Sequence, residues 1–259
     1  MDFKFLFYFL LFYKVKTINN NHYVQLLCYD FVQGESKMKG IIFDFNGTLF
    51  FDSHMHYEAW RIYSKQLRGY EFTDDEMREK MFGRTNADII EYAIGQKPTP
   101  EMVEKLAKEK EGWYRQMCLD NPETFVLSPG AETFLDYLKE NNIPMTIATM
   151  SEWDNVEFYI KEFNLARWFD LDKIVYSNGK IPGKPAPDIY EIAAKNIGLA
   201  PKDCIVVEDA ISRIDSAYAA KIGKIIAIAS VESDDLYKSI PYVDEIIHSF
   251  DEIDRTIFE

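Results

Sequence analysis

Ile41-Ile42-Phe43-Asp44-Phe45-Asn46-Gly47-Thr48-Leu49-Phe50 is the stretch on which the fold turns. Ile41–Phe43 is a continuous apolar run rich in β-branched residues, the pattern of a strand buried on both faces. An aspartate ends the run and a glycine turn follows at once. Ligands of open parallel sheets bind at the carboxyl ends of the strands. A carboxylate delivered there is presented as a nucleophile or a metal ligand. Gly47 relieves the tight turn that a phosphate must approach.

Working outward, the patterns from about residue 52 to 128 are helical. Ala59-Trp60-x-x-Tyr63, Ile89-Ile90-x-x-Ala93-Ile94 and Met102-Val103-x-x-Leu106 repeat at helical spacing. Thr73-Asp74-Asp75-Glu76 and Pro100-Glu101 read as helix starts with acidic first turns. Trp113-Tyr114 and the Met102–Leu106 stripe read as packing inside this block. After Ser128-Pro129-Gly130 the rhythm alternates. Helices are expected at 131–140, 155–163, 188–196 and 211–221. Strands are expected at 143–148, 174–176, 204–207, 224–229 and near 245–247. Alternation of this kind means βαβ units. The fold class is α/β, a doubly wound parallel sheet with an inserted helical cap domain. Residues 39–51 and 129–259 form the core, 52–128 the cap, and 1–38 a non-core N-terminal extension.

Three more segments bring chemistry to strand ends. Thr149 and the backbone N–H groups at Met150 are placed to hold phosphate oxygens, with a helix N-cap as the plain alternative for Thr149 and Ser151 as the competing cap. Lys184 lies in Gly183-Lys184-Pro185-Ala186-Pro187, where a stiff loop holds one ammonium over developing negative charge. Glu208-Asp209 follows Cys204-Ile205-Val206-Val207, and two adjacent carboxylates repel without a cation. An oxygen-rich site of this kind suits Mg²⁺.

Composition excludes other classes. A net charge of −14 with no basic stripe argues against nucleic acid and against anionic membranes. An acidic protein that handles an anionic substrate needs a local cation, which anticipates a bound metal. Cys28, Cys118 and Cys204 lack metal or disulfide spacing and read as free thiols of a cytoplasmic protein. The apolar run Phe5–Tyr13 falls well short of the ~20 residues that span a bilayer. Met38-Lys39-Gly40 is a natural start, so the preceding residues read as a dispensable extension.

Together these segments resemble the haloacid dehalogenase (HAD) superfamily from about Met38 onward, in the branch with a helical cap after the first motif. Lys184-Pro185-Ala186-Pro187-Asp188-Ile189-Tyr190 is similar to the third motif of β-phosphoglucomutase-like phosphatases. The resemblance implies a Mg²⁺-dependent phosphohydrolase acting on a small phosphorylated metabolite. By the same resemblance Asp44 becomes an aspartyl-phosphate, Thr149 and Met150 hold the phosphoryl group and Lys184 neutralises charge. Asp44, Asp209, the Asn46 carbonyl and, through water, Glu208 hold the metal.

The departures bear on turnover. The family's general acid/base is an aspartate two residues after the nucleophile, and Asn46 stands there. An amide donates a hydrogen bond but exchanges no proton near neutral pH. Phosphonoacetaldehyde hydrolases also lack that aspartate but use a cap lysine, and Asn86 falls at its position. The competing reading is a phosphate-binding or regulatory HAD protein with little turnover. Arg213 and Lys221 replace glycines usual in the helix after the fourth motif. In the cap, His56 aligns with a hinge histidine, with His54 beside it as an alternative metal partner. Arg84, in Gly83-Arg84-Thr85, and Lys110 are further substrate-contact candidates.

Overall fold

The computed structural model describes residues 37–81, 84–230 and 232–258. Apart from Lys37 and Met38, the N-terminal extension and Cys28 lie outside the described residues. Met38 donates its backbone N–H to the Ile257 carbonyl at 3.1 Å, and its side chain packs on the core.

Six parallel strands form one sheet: β1 (Gly40–Phe43), β2 (Met145–Glu152), β3 (Val175–Ser177), β4 (Cys204–Glu208), β5 (Lys224–Ile228) and β6 (Glu245–Ile247). Their order is β3-β2-β1-β4-β5-β6. The chain builds outward from β1 in both directions, so the topological switch lies beside β1, where Asp44 leaves it. Ile42 pairs with Thr146 on one side and Val206 on the other. Successive residues face opposite layers: Ile41 and Phe43 join one apolar cluster and Ile42 the other. That double burial is why the strand reads as a continuous apolar run.

Four helices are described between β1 and α5 (Ala131–Glu140): α1 (Ser53–Arg68), α2 (Asp74–Lys80), α3 (Asn86–Ile94) and α4 (Pro100–Asp120). Among the described residues of this insert there is no strand. Thr73 and Glu76 close a capping box on α2, and Thr99 caps α4 with Pro100 in its first turn. Trp60, Tyr63, Phe72, Met77, Ile89 and Ile90 form a separate cluster inside the insert. Tyr114 is buried as expected, but Trp113 and Met102 are 45% and 37% exposed.

The later helices are α6 (Trp153–Glu162), α7 (Asp188–Asn196), α8 (Ile211–Ala219) and the short α9 (Asp234–Lys238). One boundary differs instructively. β2 continues through Thr149 and Ser151 to Glu152, and neither hydroxyl caps the following helix. The Ser151 hydroxyl is engaged elsewhere, donating to Asn46 at 2.6 Å.

Candidate active site

Asp44 is 2% exposed, and each of its carboxylate oxygens meets a cation. Lys184 reaches it from the loop before α7. Its ammonium donates to Asp44 Oδ1 at 2.8 Å, Glu208 Oε1 at 2.5 Å, the Tyr190 hydroxyl at 2.9 Å and the Ala148 carbonyl at 3.2 Å. Three N–H groups are thus shared among four acceptors. The Tyr190 hydroxyl also donates to Glu208. Burial, then the Asp44 charge, push the Glu208 carboxyl above its ordinary range, while Lys184 and Arg213 pull it back.

The second cation is Arg213, which projects from the first turn of α8. One guanidinium nitrogen, Nη1, lies 3.0 Å from Asp44 Oδ2, 2.9 Å from the Asn46 carbonyl oxygen and 2.8 Å from Asp209 Oδ1. Burial pushes the Asp209 carboxyl up to about 8, with the Arg213 charge opposing and the Glu208 and Asp44 charges reinforcing. Gly47 lets the turn after β1 close on this group. At φ +81° it carries no Cβ, and a Cβ there would come within 2.0 Å of Asp209 Oδ2.

Among the described residues, Asp44, Glu208 and Asp209 form a group able to bring one carboxylate oxygen each within 4.8 Å of the others. As a donor set they suit a hard divalent ion. As arranged they do not fit one, because Arg213 Nη1 contacts two of these carboxylates and the Asn46 carbonyl at once. Mg²⁺ needs oxygens at about 2.0–2.1 Å in octahedral array, and it cannot share that position with a guanidinium.

Asn46 is fully engaged. Its Nδ2 donates to Asp52 Oδ2 at 2.5 Å and to the Tyr159 hydroxyl at 2.8 Å. Its Oδ1 accepts from Ser151 at 2.6 Å and, more weakly, from Thr149 at 3.5 Å. Asp52 is 1% exposed and also accepts from the Gly47 N–H at 3.0 Å and the Tyr114 hydroxyl at 2.6 Å. Burial raises the Asp52 pKa, but the His56 charge and hydrogen bonds from His56, Tyr114 and Asn46 outweigh it and hold the carboxyl below its ordinary value.

A cavity of about 510 Å³ opens over these groups. Asp44, Asn46, Thr149, Met150, Asp209, Arg213, His56, Arg84 and Lys110 all line it. Lys184 and Glu208, at 2% and 0% exposure, are packed behind the cavity wall. His56 stacks on Tyr114 at 3.9 Å, with Nε2 3.3 Å from Asp52 and Nδ1 3.3 Å from the Lys110 ammonium. Lys110 is 2% exposed and pairs with Glu111. His54 is exposed and has no part in this group. From the insert, Arg115 donates to Asn155 Oδ1 at 2.6 Å, and Asn155 donates to Glu111 at 2.8 Å. These bonds clasp α4 to α6 beside the cavity.

The sequence-derived candidates are therefore brought to one place. Missed were Asp52, Ser151 and Tyr159, which surround Asn46, and Tyr190, which holds Lys184 and Glu208. Asp52 at a helix start carried the ordinary signal of a capping residue, although its side chain makes no cap hydrogen bond to α1.

A family model described as haloacid dehalogenase-like hydrolase matches residues 38–221. The β-phosphoglucomutase of Bacillus subtilis is 30% identical over 194 residues, covering 72% of this chain and 83% of that protein. A fructose-1-phosphate phosphatase of Escherichia coli is 30% identical over 184 residues, covering 70% and 92%. Among solved structures, a HAD hydrolase of family IA, variant 3, from Entamoeba histolytica is 40% identical with a TM-score of 0.80, covering 85% of this chain and 97% of that one. With the family match running through most of the chain and the sheet setting Asp44 at its switch point, this protein belongs to the haloacid dehalogenase-like hydrolases.

Proposed function

We propose that this chain is a phosphohydrolase that transfers the phosphoryl group of a small phosphorylated metabolite to Asp44 and then to water. One observation carries the reading: the Asp44 carboxylate lines the cavity while Lys184 holds its Oδ1 from behind at 2.8 Å. A carboxylate oxygen with one hydrogen bond keeps a lone pair for attack. In the first step an Asp44 oxygen bonds to phosphorus as the bond to the leaving oxygen breaks, and that oxygen leaves as an anion that takes any proton it needs from water. In the second, water attacks phosphorus, the bond to Asp44 breaks, and phosphate departs, with the water's surplus proton passing to solvent. Such transfers depend on positioning and charge stabilisation. Lys184 and Arg213 supply positive charge, and Thr149 with the backbone at Met150 supplies donors for the phosphoryl oxygens. Mg²⁺, the cofactor expected from the resemblance, finds its oxygen donors here but would enter only if Arg213 withdrew.

The insert, taken as a cap over residues 52–128, would exclude bulk water through the Arg115–Asn155–Glu111 clasp. His56, Arg84 and Lys110 are the substrate-facing groups on that side. Two matched relatives are named for sugar phosphates, which supports a metabolite of that size.

Asn46 favours a second reading. No proton can pass from an amide to the leaving oxygen, so turnover of alkyl phosphates is slow and the protein acts by binding phosphate esters. A screen of sugar, acyl and aryl phosphates against an Asp44→Asn blank decides between them. We expect turnover above the blank, highest on acyl and aryl phosphates. Tight binding without turnover on any of them supports the binding role.

A further inference from the structure

Arg213 has three oxygen partners on one nitrogen, and they come from the ends of two neighbouring strands. Asp44 follows β1, the Asn46 carbonyl belongs to the turn after it, and Asp209 follows β4. Helix geometry explains the reach. Arg213 lies four residues after Asp209, and side chains in a helix lean toward its N-terminus, here toward the strand ends. The distances of 2.8, 2.9 and 3.0 Å centre the nitrogen among the oxygens rather than pairing it with one. Among the described residues, Lys184 is the other cation paired with the Asp44 and Glu208 carboxylates.

We infer that Arg213 is a built-in cation occupying the place of a divalent metal, so that a metal ion binds only by displacing the guanidinium. The side chain is 32% exposed, which leaves it a path outward into the cavity. Metal affinity is then set by the fraction of molecules in which Arg213 has withdrawn. If that fraction is about one in ten, apparent affinity falls about tenfold. This makes metal dependence a property of residue 213 rather than of the carboxylates, all of which are retained. The inference rests on the acidic cluster and its geometry, so it stands or falls by metal binding whether or not the chain turns over phosphate esters.

The test is direct metal binding to the full-length chain, by Mn²⁺ paramagnetic resonance and Mg²⁺ calorimetry. Wild type is compared with Arg213→Ala, which keeps α8 a good helix. Arg213→Ala is expected to bind either ion at least about tenfold tighter than wild type. Adding Asp209→Asn to that variant should remove the gain and so locate the ion in this cluster. Equal affinity of wild type and Arg213→Ala overturns the inference. So does a gain that survives Asp209→Asn. If Arg213→Ala does not fold, Arg213→Met, which keeps the aliphatic stem and loses the charge, takes its place: at least about tenfold tighter binding than wild type supports the inference, and equal affinity overturns it.

Discussion

Asn46 carries more of this site than its position in the sequence suggests. Both N–H groups of its amide and its carbonyl oxygen are committed, to Asp52, Tyr159, Ser151 and Thr149. Restoring the family's aspartate by Asn46→Asp would set a carboxyl against Asp52 Oδ2, where the amide nitrogen now lies at 2.5 Å. Two carboxyls at that distance share one proton, and one pKa rises. A carboxyl raised in the fold loses stability as pH climbs above its ordinary ~3.9. The single variant should therefore melt lower at neutral pH than at pH 5. The exchange Asn46→Asp/Asp52→Asn keeps one amide and one carboxyl in the pair and moves the acid to position 46. Positioned acid/base catalysis is worth roughly 10²–10⁴-fold. The exchange should recover about the lower figure in kcat/KM on sugar phosphates, with little gain on aryl phosphates. Thermal melts at two pH values and paired kinetics check both. The departure at Asn46 was legible from sequence, because the family pattern fixes that position. Its partners were not. Asp52 arrives by the turn after β1, and Ser151 by the continuation of β2 past the expected boundary.

Most of the core elements could be read from their period. Ala131–Glu140, Asp188–Asn196 and Glu245–Ile247 lie where the pattern puts them. α9 was missed, since a helix of five residues with a single buried side chain, Tyr237, has no period to read. Trp113 was misjudged because an aromatic at helical spacing reads as core, yet the α4 stripe turns it outward. The helix α8 shows how a departure visible in sequence gains meaning only with coordinates. Arg213 becomes a ligand of the acidic cluster, and Lys221 adopts φ +60° after the helix. That left-handed backbone explains the glycine usual at this point in the family, since a side chain there carries a cost of order 1 kcal/mol. Lys221→Gly should raise stability by about 1 kcal/mol, measured by denaturant unfolding, and leave metal binding untouched.

At the scale of the molecule, a chain of net charge −14 presents a site for an anion. Two cations of the chain itself, Lys184 and Arg213, contact Asp44 there. Among the described residues, no helix is long and apolar enough to cross a membrane. Cys118 and Cys204 are free and buried, and burial pushes both thiols up to about 12, which leaves them unreactive. Two apolar layers hold the sheet, a third cluster holds the insert, and the clasp at Asn155 joins α4 to α6 beside the cavity. The most direct test is to quench the protein in acid during turnover of an aryl phosphate and locate the phosphoryl group by peptide mass spectrometry. A phosphoryl adduct is expected on Asp44 in wild type and none in Asp44→Asn, which remains folded by circular dichroism and inactive. Undiminished turnover by Asp44→Asn, or an adduct on any other residue, would contradict it.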